Sequence, residues 1–366
     1  MSFLKTLWGL FFRLFPCPAT VGLRRVGNPG PESPVLVTCN FDLTVKRLIR
    51  ALRGVDAWLL VAQSRGVNVW CAAGAEEFDT RSVVSVVKTS GIAEKVDHRR
   101  LVLPPLGAPG IRAEDVEKET GWSTLWGPVR AGDLRRYLES GCRRDDAMSL
   151  ATYGWRERLD TGLGSLFPFY FIGAVGFALF GRTLLSDYLA VSAAAFAAFM
   201  LLCPWIPGKR GITKVLFLEV LLGITLIITR LLPDGGGNPV LADLVIAMVT
   251  VLFVGSELGG LSSTMGSDLD PFLARLGIGA VGNTAFAGTV RTELLNGYRK
   301  LTYDREQCKA CHSCVEVCPQ GVWKISGDKR AEFTHPEACT ACRACLVQCE
   351  PEAIRAVLST NHRISD

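Results

Sequence analysis

Hydrophobic and polar positions divide the 366 residues of this chain into regions of contrasting character. Residues 1–163 and 289–366 mix short apolar runs with charged stretches, whereas residues 164–258 are strongly apolar. We therefore predict a multidomain chain. Its regions are a leader and linker at 1–33, an α/β domain at 34–145, a transmembrane domain at 146–290 and an α+β domain at 291–366.

The α/β domain is predicted from short apolar runs that alternate with helical stretches. This alternation favours a mostly parallel, Rossmann-like sheet. The predicted strands are Val35–Thr38, Ala57–Ala62, Val67–Trp70, Arg100–Leu103 and Thr124–Trp126, and the predicted helices are Leu43–Arg53, Thr80–Thr89, Ala113–Thr120 and Gly132–Ser140.

Four apolar runs in the middle of the chain predict helices that span a lipid bilayer. Each run approaches the roughly 20 residues that cross the hydrocarbon layer. Buried core helices are the alternative, but four such runs in succession favour a multi-pass protein. A weaker fifth candidate, Phe272–Val290, is rich in glycine and contains Arg275. The four runs are 164–180, 184–203, 215–232 and 240–258.

Basic residues around these runs predict the topology. They include Arg143 before the first run, Lys209 between the second and third runs, and Arg299 after the fourth. The positive-inside rule then places both ends of the chain in the cytoplasm, beneath an inner membrane. The N-terminal segment MSFLKTLWGLFFRLFP predicts an amphipathic helix at the membrane interface, with a disordered leader as the alternative.

The overall composition narrows the choice of function. Hydrophobic residues make up 49% of the chain and its mean hydropathy is +0.26, which is high for a soluble protein. The net charge of +5 is modest and no basic stripe is present, which argues against a nucleic-acid partner. Eight of the thirteen cysteines follow residue 307, and this clustering favours metal ligation over a disulfide framework.

Two cysteine runs with the spacing C-x2-C-x2-C-x3-C predict two 4Fe–4S clusters. In this arrangement three thiolates of a run hold one cluster and the fourth reaches the other cluster. Zinc sites also use C-x2-C pairs, but two complete runs resemble bacterial two-cluster ferredoxins, which implies electron delivery. The predicted ligands are Cys308, Cys311, Cys314 and Cys349 for cluster I, and Cys339, Cys342, Cys345 and Cys318 for cluster II.

A second candidate site is the lone Cys71 in the stretch GVNVWCAAG. Small residues follow the cysteine, so a large flat group could lie close to the backbone there. On chemistry alone the indication is weak, because a lone cysteine beside a strand is usually a buried structural thiol.

The stretch N-V-W-C-A-A-G resembles the cap-helix motif of HgcA, the corrinoid protein of microbial mercury methylation. The stretches at Pro34–Thr44, His98–Gly110 and Gly127–Leu134 resemble that family as well. In HgcA the corrinoid domain precedes a transmembrane domain, and its partner HgcB is a two-cluster ferredoxin. The chain therefore resembles an HgcA–HgcB fusion over roughly residues 34–140 and 305–357.

This resemblance implies a membrane-bound corrinoid-dependent methyltransferase whose fused ferredoxin reduces the cobalt. Cys71 would be the catalytic residue and the lower axial ligand of a cobamide. The implied partners are a methyl donor (methyltetrahydrofolate or its methyltransferase), an electron donor and Hg(II) as the methyl acceptor. The other implied cofactor-binding residues are Thr38, Asn40, Asn68, Trp70, Ala72, Ala73, Gly107 and Ala108.

Two departures from the family concern the mercury step. Ala75 stands where HgcA has a lysine, and the chain has no cysteine after Cys349, where HgcB proteins carry extra thiols. A different thiophilic metal, a metalloid or a metabolite therefore stays open as the acceptor. A membrane-anchored ferredoxin that binds no corrinoid is the main alternative function, and transport is a third. The thiols that could substitute in mercury handling are Cys17, Cys39, Cys142 and Cys203.

Overall fold

The computed structural model describes most of the chain. The described residues are 2–11, 15–151, 154–202, 204–206, 211–231, 238–258, 298–335, 338–339 and 342–358. They belong to two compact units. One unit comprises Met1–Leu14 and Tyr153–Phe272, and the other comprises Phe15–Thr152 and Leu273–Asp366.

The secondary structure alternates strands and helices in the first and last thirds of the chain and is helical between them. The described strands are β1 (Gly22–Val26), β2 (Val35–Cys39), β3 (Ala57–Ala62), β4 (Arg100–Leu103), β5 (Ser123–Trp126), β6 (Tyr298–Tyr303), β7 (Trp323–Ile325), β8 (Ala331–Phe333) and β9 (Ile354–Leu358). The described α-helices are α1 (Ser2–Phe11), α2 (Asp42–Ala51), α3 (Val69–Gly74), α4 (Thr80–Thr89), α5 (Ala113–Thr120), α6 (Leu134–Glu139), α7 (Asp146–Ser149), α8 (Trp155–Phe180), α9 (Leu185–Leu202), α10 (Gly211–Leu231), α11 (Asn238–Leu258), α12 (Ser313–Val317) and α13 (Ala344–Val347).

A five-stranded sheet with the order β1-β3-β2-β4-β5 forms the centre of the α/β part. Strands β2 to β5 pair in parallel, and β1 joins the edge antiparallel to β3. All six residues of β3 are buried, as expected for a strand between two neighbours with both faces covered. The predicted mixed α/β fold with a mostly parallel sheet is confirmed.

Two apolar layers cover the faces of this sheet. Leu60 and Leu101 lie in one layer together with Val83 of α4. Leu59 lies in the other layer together with Leu52, which follows α2. Because successive side chains of a strand point to opposite faces, adjacent residues of β3 supply both cores.

The sequence-based prediction of a strand at Val67–Trp70 is wrong. Asn68 instead caps α3, since its side-chain oxygen accepts a hydrogen bond from the backbone N–H of Cys71. The prediction at Gly132–Ser140 is partly right, because a 3₁₀ turn at Ala131–Asp133 precedes the shorter helix α6.

Strand β1 was missed because its sequence, GLRRV, contains two arginines and lies in the predicted leader and linker. Its pairing with β3 brings the end of that predicted linker into the sheet.

The C-terminal segment is α+β, as predicted. Strands β6 and β9 pair antiparallel, as do β7 and β8. The short helices α12 and α13 pack against each other, and they also contact β7 and β9, respectively. A small core of Val322, Trp323 and Ile354 supports the segment.

The helical unit contains a helix at each of the four predicted apolar runs, and these helices pack against one another. Among the described residues one helix, Arg182–Leu202, is long and apolar enough to cross a membrane, with a mean hydropathy of 1.7. A single such helix is weak evidence, so the four predicted spans stay a prediction. The fifth candidate, Phe272–Val290, lies outside the described residues.

The N-terminal segment is helical over α1, in agreement with the predicted amphipathic helix. Its Phe11 ring lies 4.6 Å from the ring of Phe167 in α8, measured between centroids. This contact places α1 in the helical unit, and the predicted interfacial position of the helix stays a prediction.

Candidate functional site

Three loops meet at the carboxyl edge of the parallel strands. They follow β2, β3 and β4, and the carboxyl ends of neighbouring parallel strands lie at one edge of a sheet, where ligands of open α/β folds bind. The first loop begins with Asn40, the second leads into α3 with Cys71, and the third includes the 3₁₀ turn Pro105–Gly107. The structure thus gathers at this edge the cofactor-binding residues that the resemblance implied.

The side-chain amide of Asn40 connects the first two loops. Its Oδ1 accepts hydrogen bonds from the backbone N–H of Ser64 at 2.9 Å and of Gly66 at 2.9 Å. Its Nδ2 donates to Oε1 of Gln63 at 2.8 Å and to the carbonyl of Ala19. Asn40 is buried and its polar atoms are bonded to protein, so it holds the loop that presents α3.

Cys71 lies in the first turn of α3 and is half-buried. Its backbone N–H donates to Asn68 Oδ1 at 3.0 Å, and Asn68 Nδ2 lies 3.3 Å from Cys71 Sγ. The amide N–H of Asn68 is therefore directed at the sulfur. Asn68 therefore fixes both the helix start and the direction of the thiol.

Helix α3 packs tightly on the third loop. Ala72 and Ala73 are buried, and a Cβ added to Gly110 would lie 2.9 Å from the Ala73 carbonyl oxygen and 2.5 Å from that of Phe78. A Cβ on Gly107 would lie 3.0 Å from the Phe78 ring. The small residues at these positions thus allow two backbone segments to approach each other.

The implied cofactor-binding residues fall into two groups by exposure. Thr38, Asn40, Ala72, Ala73, Gly107 and Ala108 are buried in the protein. Asn68, Trp70 and Cys71 are half-buried. The buried group supports the backbone of the site, and only the half-buried group reaches its surface.

The half-buried group fits a corrinoid whose cobalt would be held by Cys71. The Cys71 sulfur is a soft donor of the kind that transition metals accept, and it is partly exposed. A Cβ on Gly74 would have open space around it, so the far end of α3 leaves room beside the thiol. The fit rests on this donor and on the space beside it.

The eight C-terminal cysteines line two cavities. Cys308, Cys311, Cys314 and Cys349 line one cavity, and Cys318, Cys339, Cys342 and Cys345 line the other. Each cavity therefore contains three cysteines of one run and the last cysteine of the other run. These are the same two sets that the spacing predicts.

The electrostatics show the same grouping. Burial, together with the nearby Cys311, Cys349 and Cys308, raises the pKa of the Cys314 thiol to about 12. Burial also raises the pKa of Cys345, with contributions from Cys342, Cys318 and Cys339. Buried thiols of this kind stay protonated without a metal, so cluster assembly must displace their protons.

The iron–sulfur segment packs on the α/β part within one compact unit. Val317 of α12 and Ala344 of α13 are fully buried in the same apolar cluster as Leu103 and Phe78. Arg144 Nη1 donates to the carbonyl oxygen of Glu316 at 2.8 Å. Sequence reasoning missed this interface, because single buried residues at irregular spacing produce no periodic signal.

The remaining cysteines differ in their surroundings. Burial raises the pKa of the Cys39 thiol, which disfavours the thiolate that would bind mercury. Cys17 is buried and Cys142 is half-buried. Cys203 lies outside the described residues.

The acidic residues after α3 are partly neutralised. Ala75 is the C-cap of α3, at the position where the resembled family has a lysine. Glu77 forms an ion pair with Arg65, with 2.8 Å between Oε2 and Nε. A cation therefore remains near the end of α3, although it comes from another loop.

Comparisons with known proteins assign both segments. Residues 15–138 match the family of the CO dehydrogenase/acetyl-CoA synthase delta subunit, and residues 300–350 match the 4Fe-4S dicluster domain family. These matches support a corrinoid cofactor and iron–sulfur clusters, as predicted. They do not separate the HgcA–HgcB resemblance from other corrinoid iron–sulfur proteins.

Curated relatives include gamma subunits of the acetyl-CoA decarbonylase/synthase complex. The subunit from Archaeoglobus fulgidus is 37% identical over 126 residues, which is 34% of this chain and 26% of the relative. The subunit from Methanopyrus kandleri is 38% identical over 120 residues, which is 32% of this chain and 26% of the relative. The chain thus spans about a quarter of the length of these relatives.

The grouping of the cysteines predicts how paired substitutions affect the iron content. Cys318→Ser combined with Cys345→Ser removes two ligands from one cavity, so about four of the roughly eight irons of a two-cluster protein should remain. Cys314→Ser combined with Cys318→Ser removes one ligand from each cavity and should affect both clusters. Iron and sulfide analysis with EPR of the reduced protein checks this.

The comparison is matched, because each double variant loses two buried cysteines and one of them is Cys318 in both cases. Equal iron loss in the two double variants would contradict the exchange of ligands between the runs.

Proposed function

We propose that this chain carries out corrinoid-dependent methyl transfer and that its own iron–sulfur segment supplies the electrons that keep the corrinoid reduced. The observation that carries the proposal is the position of Cys71 at a loop edge that shares one compact unit with the two cysteine-lined cavities. The corrinoid and dicluster family matches support the two halves of the proposal.

In this proposal the Cys71 sulfur would hold the cobalt of the corrinoid. Asn68 orients the sulfur, and the buried Asn40 network keeps α3 at the edge of the sheet. When bound, a corrinoid supplies a metal centre that can accept and release a methyl group, and the protein positions and tunes it. As a strong electron donor to the metal, the Cys71 thiolate would favour release of the methyl group as a carbanion equivalent.

The iron–sulfur segment has the role of an electron relay. Cluster I would be held by the cysteines of the first cavity, including Cys349, and cluster II by those of the second, including Cys318. The packing of α12 and α13 against the α/β part favours direct transfer from the clusters to the corrinoid. A soluble electron donor and a methyl-donor protein are the partners that this scheme requires.

Retention of cobalt tests the central part of the proposal. The full chain, purified anaerobically from cells supplied with cobalamin, should contain about one cobalt per two clusters. Cys71→Ala should weaken cobalt binding by about tenfold or more, since even a residue that only supports a metal ligand contributes about that much. Metal analysis and the corrinoid absorption spectrum measure the effect.

Cys142→Ala is the matched control, because Cys142 is another half-buried thiol in the same unit. Equal cobalt and unchanged spectra in wild type and Cys71→Ala would overturn the assignment of Cys71. Full iron without cobalt in the wild type would instead favour the alternative of an electron-transfer protein that binds no corrinoid.

We also propose that the helical unit anchors the chain in the cytoplasmic membrane, with both ends in the cytoplasm. Helices α8, α10 and α11 expose large apolar side chains such as Phe180, Ile227 and Val249. Exposed apolar surface of this extent is typical of a face that contacts lipid or another protein.

Membrane anchoring predicts resistance to alkaline carbonate extraction. Because the apolar faces of the helices would lie in hydrocarbon, the full chain should stay in the membrane pellet and be released only by detergent. A known peripheral protein in the same preparation is the control. Release of the chain by carbonate alone would contradict the anchoring.

Mercury is the acceptor that we propose for the methyl group, because Hg(II) is a soft electrophile that accepts a carbanion equivalent. The cobalamin-loaded, reduced and methylated chain should convert Hg(II) to methylmercury under anaerobic conditions, and Cys71→Ala should lose this activity. Ala75→Lys should increase the activity, because it restores the family's positive charge at the end of α3.

Glu76→Gln is the control for the charge change, since it removes one acidic group at the neighbouring exposed position. A chain that carries a reducible, methylated corrinoid but forms no methylmercury would reject mercury as the acceptor and leave the methyl-transfer proposal intact.

A further inference from the structure

The side chain of Gln348 connects the iron–sulfur segment to the third loop of the α/β part. Its Nε2 donates to the carbonyl oxygen of Ala108 at 2.9 Å and of Ile111 at 2.6 Å. Its Oε1 accepts from the backbone N–H of Ala113 at 3.2 Å. One side chain thus satisfies three backbone groups that lie about 240 residues away in sequence.

These hydrogen bonds lie in a dry environment. Gln348 is only 8% exposed, and Ala344 in the same turn of chain is buried in the apolar cluster beneath the loop. A buried polar group that loses its partner destabilises the fold by its full desolvation free energy. The contact is therefore specific, because an apolar side chain at position 348 would remove the donor to two carbonyl groups in buried hydrogen bonds and the acceptor of the part-buried Ala113 N–H.

Gln348 also faces the first cysteine cavity. It lines that cavity together with Cys349, the next residue, which is the predicted fourth ligand of cluster I. The loop to which it is hydrogen-bonded contains Ala108 and directly follows the turn Pro105–Gly107. That turn contacts α3, the helix that carries Cys71. A short chain of contacts therefore runs from the first cavity to the candidate corrinoid site.

We propose that Gln348 is a positioning residue. It holds the iron–sulfur segment against the loops at the carboxyl edge of the sheet, so that electrons reach this edge from cluster I. The electron-transfer part of this inference rests on the proposed function. In each transfer one reduced 4Fe–4S cluster is oxidised by one electron and the bound corrinoid is reduced by one electron. The external electron donor then reduces the cluster again by one electron.

Gln307 offers a matched control, because it also directly precedes a cysteine of the first cavity. Its Oε1 accepts from Arg355 of its own segment at 3.1 Å, and it is exposed. Substitution of Gln307 therefore changes the same residue type near the same cluster without touching the loop at 108–113.

The experiment compares Gln348→Leu with Gln307→Leu in the full, cluster-loaded chain. Hydrogen exchange at the Ala113 amide should accelerate by about tenfold or more in Gln348→Leu, because its acceptor is removed. Reduction of bound cobalt by the pre-reduced clusters should slow in the same variant, while electron transfer from the clusters to a small soluble acceptor stays unchanged. Gln307→Leu should match the wild type in all three measurements.

Gln348→Glu covers the case in which the leucine variant fails to retain its clusters. It keeps the acceptor for the Ala113 amide, so exchange there should stay slow, but it loses the two donated hydrogen bonds and should still slow cobalt reduction. Wild-type exchange in Gln348→Leu together with wild-type cobalt reduction in both variants would overturn the proposal, as would wild-type cobalt reduction in Gln348→Glu where the leucine variant loses its clusters.

A chain that binds no cobalt would refute the proposed function by itself. The exchange rate at Ala113 alone would then test whether Gln348 holds the segment on the loop. Faster exchange in Gln348→Leu would support this role, and unchanged exchange would refute it.

Discussion

The parallel pairing of β2, β3 and β4 brings three loops to one edge of a sheet, and the functional features of this unit depend on that convergence. The buried amide of Asn40 joins the first two loops, and the tight contact of Gly110 with Ala73 joins the second to the third. The Cys71 thiol can be aimed only because both connections hold α3 in place. The same edge also provides the surface on which the iron–sulfur segment packs.

The two cysteine cavities impose a second constraint. Each cavity has one deeply buried thiol, Cys314 or Cys345, whose pKa is raised by burial and by the neighbouring thiols, so without a metal these two favour the protonated state. Iron supplies the positive charge that makes four neighbouring thiolates stable, and its binding free energy becomes folding free energy for a segment with few other core residues. Helices α12 and α13 carry ligands for both cavities and also contact the α/β part, so cluster assembly and docking are structurally linked.

Local sequence patterns predicted much of this architecture. The continuous apolar run of β3 and the helical stretch at Thr80–Thr89 were predicted with the bounds that the structure has. The cysteine spacing predicted which cysteines line each cavity, because the three ligands that a run supplies to one cluster are separated by only two residues. The prediction of a strand at Val67–Trp70 was wrong. Its apolar residues matched the pattern of a strand, but Asn68 caps a helix there.

The sequence did not predict the contacts between residues that lie far apart along the chain. Ala72, Ala73, Gly107 and Ala108 read as space for a cofactor, but small residues serve equally well where two backbone segments touch, and here they do the latter. Gln348 looked like an ordinary residue between two motif positions, since its partners lie about 240 residues away.

The clusters and the Cys71 site are proposed to belong to one working unit. Dipolar EPR on the cobalamin-loaded full chain, with the cobalt as Co(II) and the clusters reduced, measures the magnetic interaction between them. Within one unit the cobalt and a cluster should couple, seen as splitting or broadening that disappears when Cys71 is replaced by alanine. Cobalt and cluster signals that are identical to those of magnetically isolated centres would contradict it.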